Sequence, residues 1–499
     1  MSHKTKAELD AAARSRLEPL LARKAAGEQI GPKERMAIPA QEMPAQDPAV
    51  RGKNVSEVAL GYGEYQARLE AERCLGCKNE PCVRGCPVGV SIPRFITEIQ
   101  RGDFKAAVDV IKEANLLPAV CGRVCPQETQ CQEQCTLGKA LKDTEQAVAI
   151  GRLERCVADW EREHGQVTAP SVKPPTGKKV AVIGSGPAGL TAAADAAREG
   201  HRVTIFEAFH KPGGVMVYDI PEFRLPKSIV RAEVEILNRM GVQLETNFLV
   251  GRTRTIGEFL EADRYDAVFI GVGAGLPKFL GCPGENMVGV FSANEYLTRA
   301  NLMKAYDGER AATPMFRSKI AAVIGGGNVA MDAARMALRL GAEQVHVIYR
   351  RTRREMPARA EEIEHAIEEG VVFNFLRNPN RFIGDGQGKI TGMELQKFEL
   401  GEPDGSGRRS PVAVPGSEYV FDCDTVIVAL GNESNPLVSR TTERLSVDKR
   451  GRILVNDEQQ TSLERVYAGG DIVLGAATVI LAMGEGRRAA AAINRLLSG

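Results

Sequence analysis

The residues with the most distinctive chemistry are cysteines. Eight of the eleven in the 499-residue chain fall between positions 74 and 135, in a C-x2-C-x4-C-x3-C run and a C-x3-C-x5-C-x3-C run. The two runs consist of Cys74, Cys77, Cys82, Cys86 and of Cys121, Cys125, Cys131, Cys135. Four thiolates suit an iron–sulfur cluster, so the runs predict two [4Fe–4S] clusters. Two zinc sites are the alternative, but zinc knuckles usually come as paired C-x2-C units and only one such unit is present.

Spacing leaves the ligand assignment open. In two-cluster ferredoxins one cysteine of a run binds the other cluster. Cys86 and Cys125 are each followed by proline, as in ferredoxin-type cluster loops. Cys156, Cys282 and Cys423 are isolated and are expected to be packed thiols.

A glycine-rich turn with the pattern G-x-G-x-x-G follows the apolar run 180–183. Such a turn lets a pyrophosphate approach the backbone at the N-terminus of the next helix. The next predicted strand, 202–206, ends in Glu207, an acid placed to bind a ribose. The context favours a dinucleotide site over a turn without function. The candidate residues are Gly184, Ser185, Gly186, Pro187, Ala188, Gly189 and Glu207. Further on, Gly214 and Val215 follow Gly213, where the backbone can approach a flat cofactor.

A second copy of this pattern begins at residue 319 and reads G-x-G-x-x-A. Its second strand ends in arginines rather than in an acid. Arginines bind a 2′-phosphate, whereas an acid would repel it. We therefore interpret the second copy as an NADP site rather than as a solvated basic turn. Its candidate residues are Gly325, Gly327, Asn328, Val329, Arg350 and Arg351.

The end of the chain carries a further strand–turn–helix pattern. An apolar run leads to Gly470 and Asp471, and a helix is predicted from residue 477. Asp471 is placed to contact the first dinucleotide, and the helix N-terminus, with Thr478 and Val479, is placed to face a flavin ring. The pattern predicts an FAD domain that is interrupted by the NADP domain.

The predicted fold class is α/β, with an α-helical double-cluster domain followed by two Rossmann-like domains. The predicted divisions are an N-terminal arm at 1–38, an iron–sulfur domain at 39–172, FAD domain parts at 173–300 and 426–499, and an NADP domain at 301–425. Helices are expected at 6–26, 92–113, 144–163 and 359–369, and the first of these is interpreted as a surface arm.

Composition excludes several classes of function. The 65 basic and 64 acidic residues nearly cancel, which argues against nucleic acid or an anionic membrane as the main partner. No signal peptide or membrane span is evident, so we expect a cytoplasmic protein. No cysteine lies between Cys156 and Cys282, which excludes the redox cysteine pair of dithiol-type disulfide reductases.

Taken together, these residues resemble the NADPH-dependent glutamate synthase small-subunit family, in its short form. They also resemble the large subunit of NADH-dependent ferredoxin:NADP oxidoreductase and, more distantly, the N-terminal half of dihydropyrimidine dehydrogenase. The resemblance runs from about residue 39 to the end, and the motifs that carry it include RCLGCKNEPCVRGCPVGVSIPRFI, CGRVCPQETQCQEQC, AIGRLER, GSGPAGL, IPEFRLPK, GGGNVAMDAAR and AGGD.

The resemblance implies FAD, NADP(H) and two [4Fe–4S] clusters. It also implies which residues bind the clusters: Cys74, Cys77, Cys82 and Cys135 for one, and Cys86, Cys125, Cys131 and Glu154 for the other. Cys121 would lie nearby without binding iron. The family usually has an acid where Arg354 stands, which bears on the detailed NADP contacts.

The family makes glutamate only with an FMN-containing large subunit, and no region here is left for FMN or glutamine hydrolysis. The expected chemistry is hydride transfer and electron transfer, which requires no catalytic side chain. The alternatives are a subunit of an NADP(H):ferredoxin oxidoreductase, electron-bifurcating or with sulfide or another acceptor, and a non-catalytic cluster scaffold. The intact nucleotide fingerprints weigh against the scaffold.

Overall fold

The computed structural model describes residues 4–405 and 407–498. An α-helical domain comes first, with its core around Phe95, Ile99, Ile111 and Leu153. Its helices are α1 (Lys6–Ala25), α2 (Pro32–Ala37), α3 (Pro48–Arg51), α4 (Glu64–Glu72), α5 (Pro81–Arg84), α6 (Ile92–Arg101), α7 (Phe104–Lys112), α8 (Pro118–Val124), α9 (Thr136–Leu141) and α10 (Ile150–Glu163), with 3₁₀ turns at Gln127–Thr129 and Thr144–Gln146.

The first helix packs onto this domain. Thr5 and Glu8 form a capping box at its start, in which each side chain accepts a hydrogen bond from the other residue's backbone N–H. Ala13 and Leu17, one turn apart, are buried in a cluster with Leu69 of α4. The expectation of a surface arm is therefore corrected for α1, because these two apolar residues give the helix a buried face.

A five-stranded parallel sheet follows, in the order β16-β4-β1-β2-β3. The short strands β5 (Leu276–Pro277) and β15 (Asn432–Glu433) form a separate two-stranded antiparallel sheet. The strands of the parallel sheet are β1 (Lys179–Ile183), β2 (Arg202–Phe206), β3 (Gln243–Glu245), β4 (Ala267–Ile270) and β16 (Val466–Ala468). The helices of this domain are α11 (Pro187–Arg198), α12 (Val215–Tyr218), α13 (Lys227–Arg239), α14 (Ile256–Glu261), α19 (Asp471–Leu474) and α20 (Val479–Ser498).

A second five-stranded parallel sheet is inserted, in the order β6-β14-β7-β8-β9. Its strands are β6 (Val290–Ser292), β7 (Ile320–Ile324), β8 (Gln344–Tyr349), β9 (Val372–Phe375) and β14 (Thr425–Val428). Its helices are α15 (Ala293–Asn301), α16 (Asn328–Arg339) and α17 (Ala360–Glu368), with a 3₁₀ turn at Arg353–Glu355. A separate four-stranded antiparallel sheet follows β9 in the chain. It is formed by β10 (Arg377–Gly384), β11 (Ile390–Pro403), β12 (Arg409–Ala413) and β13 (Tyr419–Asp422). The short helix α18 (Leu437–Arg440) comes after β14 and β15.

The second sheet begins and ends outside the range 301–425 predicted for the NADP domain. Val428 pairs with Ser292 on one side and with Ile324 on the other, so β6 and β14 both belong to this sheet. Both boundaries are therefore corrected outwards. The apolar run at 425–428 is buried on both faces, and such a run has the same sequence character in either sheet. In the described part of the chain, no helix is long and apolar enough to cross a membrane.

A buried ionic cluster joins the domains. The Glu369 carboxylate accepts hydrogen bonds from Arg335 Nη2 at 2.7 Å, Arg339 Nη1 at 2.7 Å and Arg51 Nε at 3.0 Å. Arg51 comes from the helical domain, and the other two arginines come from α16. Burial alone would raise the pKa of Glu369, but hydrogen bonds from Arg335 and Arg339 and their charges lower it to about 2.

We expect Glu369→Gln to lower the free energy of unfolding by about 3–5 kcal/mol, because it leaves three buried arginines without their shared countercharge. The contribution of Glu369 is full above its ordinary pKa of 4.5 and is lost as the pH falls towards 2. Urea unfolding between pH 7 and pH 3 measures both effects. Glu368→Gln is the matched control: that side chain is 49% exposed, and its removal costs about 0–1 kcal/mol. Equal losses in the two variants would contradict the role assigned to Glu369.

Candidate functional site

The first glycine-rich turn lies at the carboxyl end of β1 and leads into α11. At Gly184 the φ angle is +97°, and an added Cβ would be 2.6 Å from the Gly271 carbonyl oxygen. At Gly189 an added Cβ would be 1.9 Å from the Gly184 carbonyl oxygen, so the helix packs directly on the turn. At Gly186, by contrast, an added Cβ would meet nothing within 4 Å. The first and third glycines are thus required by the chain itself, and the second borders open space.

Glu207 holds this turn in place. Its carboxylate accepts hydrogen bonds from the backbone N–H groups of Ser185 at 2.9 Å and Phe209 at 2.8 Å, and from the Ser185 hydroxyl. The same hydroxyl accepts a hydrogen bond from Gly213 N at 3.0 Å. Gly214, just before α12, is close enough that an added Cβ would be 2.8 Å from Gly186 Cα. The predicted residues 184–189, 207 and 214–215 therefore come together around one turn.

Residues near the end of the chain also lie at this turn. Gly470 lies over α11, where an added Cβ would be 2.9 Å from Ala188 Cβ, and its N–H donates to Glu485 at 2.7 Å. Asp471 accepts a hydrogen bond from Ala477 N at 3.2 Å, and burial raises its pKa to about 7. Thr478 precedes α20, and its hydroxyl accepts a hydrogen bond from Leu481 N at 3.3 Å, so with Val479 it forms the start of that helix.

Asp219, which sequence reasoning missed, also lies near this group. Its side chain is buried, its Oδ1 has no hydrogen-bond partner among the described residues, and burial together with the charges of Asp332 and Asp471 raises its pKa to about 7. No spacing pattern marks Asp219. Only its contacts, made after the chain turns at α12, bring it towards Asp471.

The second glycine-rich turn repeats this geometry between β7 and α16. Gly325 has a φ angle of +143°, and an added Cβ would be 2.4 Å from the Ala429 carbonyl oxygen. At Gly327 the nearest atom to an added Cβ is Pro357 Cγ at 3.9 Å. Asn328 accepts a hydrogen bond from Arg359 N at 3.0 Å, and the adjacent Val329 packs against the core of this domain.

The two predicted phosphate-binding arginines point to different places. Arg350, at the end of β8, is exposed. Arg351 is buried: its Nη2 lies 2.6 Å from Asp404 Oδ2, and its Nε donates to the Arg409 carbonyl at 2.7 Å. Both residues lie in the bend that follows β8, and Arg351 is turned away from Arg350 by its contacts with Asp404 and Arg409. The structure thus separates Arg351 from Arg350 and places it against the antiparallel sheet.

The cysteines form two neighbouring groups. Cys74 lies within electrostatic reach of Cys77 and Cys135, and Cys82 of Cys74 and Cys135. These four thiols share the lining of one cavity with apolar side chains such as Ile92 and Ile96. Among the described residues, no three His, Cys, Asp or Glu side chains converge on a single ion. Thiols spread around a cavity fit a multi-atom cluster better than one ion.

The second group contains a carboxylate. Cys86 lies near Cys125 and Glu154, and Cys131 lies near Cys86, Cys125 and Glu154. Burial raises the pKa of Glu154 to about 8. Cys121 is close as well, because it lies within reach of Glu154 and Cys86. Glu154 and Cys121 therefore both lie in the neighbourhood of Cys86 and Cys125.

Asn115 connects this second group to Cys121, and nothing in the sequence pattern marked it. Its Nδ2 donates to Glu154 Oε1 at 2.7 Å, and its Oδ1 lies 3.7 Å from Cys121 Sγ. Cys121 Sγ also lies 3.6 Å from the sulfur of Met483 in α20. Cys121, beside the second thiol group, therefore contacts α20, the helix that also packs on α11 after the first glycine-rich turn.

Comparison with known proteins places these features in families. Residues 51–166 match the family described as dihydropyrimidine dehydrogenase domain II, 4Fe-4S cluster. Residues 178–492 match the pyridine nucleotide-disulphide oxidoreductase family. The glutamate synthase [NADPH] small chain of Escherichia coli is 37% identical over 447 residues, which are 88% of this chain and 93% of the relative. The chain belongs to the glutamate synthase small-chain family.

Other relatives have names that indicate different functions. The NADP(+)-dependent formate dehydrogenase subunit beta of Moorella thermoacetica is 40% identical, over 84% of this chain and 60% of the relative. The NADPH-Fe(3+) oxidoreductase subunit beta of Geobacter sulfurreducens is 37% identical, over 84% of this chain and 63% of the relative. The chain thus spans less than two thirds of these two proteins.

Among solved structures, FprA of Mycobacterium tuberculosis in complex with NADPH matches with a TM-score of 0.54 and 21% identity, over 65% of this chain and 85% of that one. That likeness shows the fold alone. The family matches confirm the predicted fold class and an oxidoreductase, with FAD, NADP(H) and [4Fe–4S] clusters as its cofactors.

Substitution of Gly186 and Gly327, the two glycines that border open space, distinguishes an effect on cofactor binding from an effect on folding. We expect Gly186→Ala to fold normally and to lose most of its flavin, because the added methyl group points only into the space left for the dinucleotide. Gly327→Ala should keep its flavin and bind NADP⁺ several-fold more weakly. Flavin absorbance per chain and calorimetric titration with NADP⁺ measure the two effects. Gly189→Ala is the comparison that should fail to fold. A similar loss of thermal stability in all three variants would contradict this division.

Proposed function

We propose that this chain takes hydride from NADPH onto FAD and delivers single electrons, through two [4Fe–4S] clusters, to a partner subunit. The observation that carries the proposal is the position of α20. Its start belongs to the first dinucleotide site, and Met483, one turn further on, contacts Cys121 beside the second thiol group. The bound flavin supplies the conversion of a hydride into single electrons. The chain supplies the short separation between the two sites.

In this proposal the first turn binds FAD. Its backbone N–H groups face the pyrophosphate, Glu207 reaches the ribose, Asp471 the ribityl or phosphate region, and the N-terminus of α20 faces the ring. The residues proposed for FAD are Gly184, Ser185, Gly186, Pro187, Ala188, Gly189, Glu207, Gly214, Val215, Gly470, Asp471, Thr478 and Val479. Those proposed for NADP(H) are Gly325, Gly327, Asn328, Val329 and Arg350, with Arg351 supporting the loop through Asp404.

We further propose that Cys74, Cys77, Cys82 and Cys135 bind one cluster. Cys86, Cys125, Cys131 and Glu154 bind the other. Asn115 supports the assignment of Glu154, because its amide donates to one carboxylate oxygen and fixes the direction of the side chain. Cys121 is the alternative fourth ligand, since it lies in the same neighbourhood.

The exposed arginine at the end of β8 tests the NADPH site. Under anaerobic conditions, NADPH should bleach the flavin band much faster than NADH does. Arg350→Glu should weaken NADPH binding at least tenfold and leave NADH binding nearly unchanged, because a 2′-phosphate contact is replaced by a like charge. Flavin absorbance during titration measures both. Arg16→Glu, a charge reversal on the exposed face of α1, is the control. Equal weakening for both nucleotides would refute the assignment.

Substitution of the two candidate ligands tests the second cluster. We expect Cys121→Ser to keep both clusters. Glu154→Ala should shift the reduction potential of one cluster or make it labile, because an oxygen ligand tunes a cluster differently from a thiolate. Iron content and electron paramagnetic resonance spectra of the two variants decide the question. If Cys121→Ser loses a cluster while Glu154→Ala leaves the iron content and the spectra unchanged, the second cluster is bound by cysteines alone.

The partner is proposed from the relatives, which are named as small or beta subunits. The favoured partner is the FMN-containing large subunit of glutamate synthase. The chain alone should reduce an artificial electron acceptor with NADPH and form no glutamate from glutamine and 2-oxoglutarate. Addition of that large subunit should restore glutamate formation. Failure with the large subunit, together with rapid reduction of ferredoxin, would favour the alternative of an NADP(H):ferredoxin type of complex. Glutamate formation by the chain alone would contradict the need for a partner.

A further inference from the structure

The segment between α12 and α13 reaches from the first dinucleotide domain into the second. Arg224, in this segment, places its Nη1 2.7 Å from each carboxylate oxygen of Asp332, and its Nε 3.3 Å from Glu362 Oε1. The three side chains are 7%, 5% and 8% exposed, so the ion pairs are made out of contact with bulk water. One arginine thus joins two helices of the neighbouring domain.

Those two helices form the walls of the second nucleotide site. Asp332 lies in α16, one turn after the helix starts at the glycine-rich turn. Glu362 lies in the first turn of α17, which follows the loop that carries Arg350. Burial is the largest single influence on the pKa of Arg224 and lowers it, but the charges of Asp332 and Glu362 and the hydrogen bond to Asp332 act together to raise it, and the net shift is upwards. A guanidinium held by two carboxylates has a fixed direction as well as a fixed charge.

The residues around Arg224 hold the segment from both ends. Two guanidinium groups lie over the Phe223 ring, with Arg339 3.9 Å and Arg335 4.6 Å from its centroid. The Phe223 carbonyl accepts a hydrogen bond from Val58 N at 2.9 Å, which ties the segment to the helical domain. Lys227 donates to the Leu225 carbonyl at 2.9 Å. The segment therefore contacts both the helical domain and the second dinucleotide domain.

The same segment begins beside the first dinucleotide site. Asp219, directly after α12, interacts electrostatically with both Asp471 and Asp332. A displacement of the second domain relative to Arg224 would break both contacts with Asp332 and separate these two buried charges, whereas Glu362 would keep its ion pair with Arg335. Such a change costs far more free energy than breaking a surface ion pair.

We propose that Arg224 is a positioning residue for hydride transfer: it fixes the nucleotide-binding domain relative to the flavin domain, so that bound NADPH is held in reach of the flavin ring. This rests on the proposed function. Hydride transfer requires donor and acceptor atoms at about 3–3.5 Å, and small misplacements reduce its rate steeply. Arg224 acts through its ion-pair partners, Asp332 and Glu362, and is therefore not a catalytic residue.

The test separates binding from transfer. The experiment is anaerobic stopped-flow reduction of the flavin at varied NADPH concentration. Arg224→Met should lower the limiting rate of flavin reduction at least tenfold, while the Kd for NADPH changes less than about twofold. The flavin content and the rate of flavin reduction by dithionite should stay at the wild-type level. Arg224→Lys keeps the positive charge but loses the guanidinium group that contacts both carboxylates. Its limiting rate of flavin reduction should therefore lie between those of the wild type and of Arg224→Met. Arg381→Met, which removes an exposed ion pair on the antiparallel sheet, is the control and should change none of these values.

An unchanged limiting rate in Arg224→Met overturns the proposal. So does a loss of flavin content, NADPH affinity and rate in equal proportion, because that pattern indicates a purely structural residue. If Arg224→Met does not fold, Arg224→Lys decides the question by the same comparison of limiting rate with Kd. Failure of NADPH to bleach the wild-type flavin would instead refute the proposed function, and the wild-type trace is recorded first to distinguish the two.

Discussion

Three arginines share one buried carboxylate, that of Glu369, and the arrangement of the domains depends on this contact. Arg51 approaches from the helical domain, whereas Arg335 and Arg339 belong to the second dinucleotide domain. The guanidinium groups of Arg335 and Arg339 also lie over the ring of Phe223, which belongs to the first dinucleotide domain. Each sheet has its own core and its own helices, so each domain has what it needs to fold. What the ionic cluster adds is a contact between the domains whose loss would leave buried charges unpaired.

The sequence predicted the local elements where pattern and chemistry agree. The strands that flank the first fingerprint were predicted at 180–183 and 202–206, and they occur at Lys179–Ile183 and Arg202–Phe206. The helix predicted at 92–113 is instead two helices, because Gly102 adopts a φ of +85° and Asp103 caps the second. Apolar periodicity continues across that break, so periodicity alone does not reveal it.

Tertiary contacts decided what the sequence could not. Residues 426–428 were placed in the wrong domain, because a strand buried on both faces carries no mark of its neighbours. Likewise, cysteine spacing could not show that Glu154 lies among the thiols. That residue is in α10, and only the packing of α10 against α8 brings it near Cys125 and Cys131. The family resemblance implied this grouping, which local spacing cannot encode.

The two groups of thiols differ in how far they are buried, which bears on the order in which electrons would pass through them. Cys121, Cys125 and Cys131 are buried, and Cys121 contacts Met483 of α20. In the other group Cys74, Cys77 and Cys82 are only partly buried and Cys135 is buried, while Cys86 is the partly buried thiol of the group near Met483. Disulfide reductases of this fold deliver electrons to a cysteine pair beside the flavin, and this chain has no cysteine from 157 to 281. Under the proposed function, electrons therefore leave the flavin on the α20 side, reach the buried group first, and arrive at the partner through the group that lies nearer the surface.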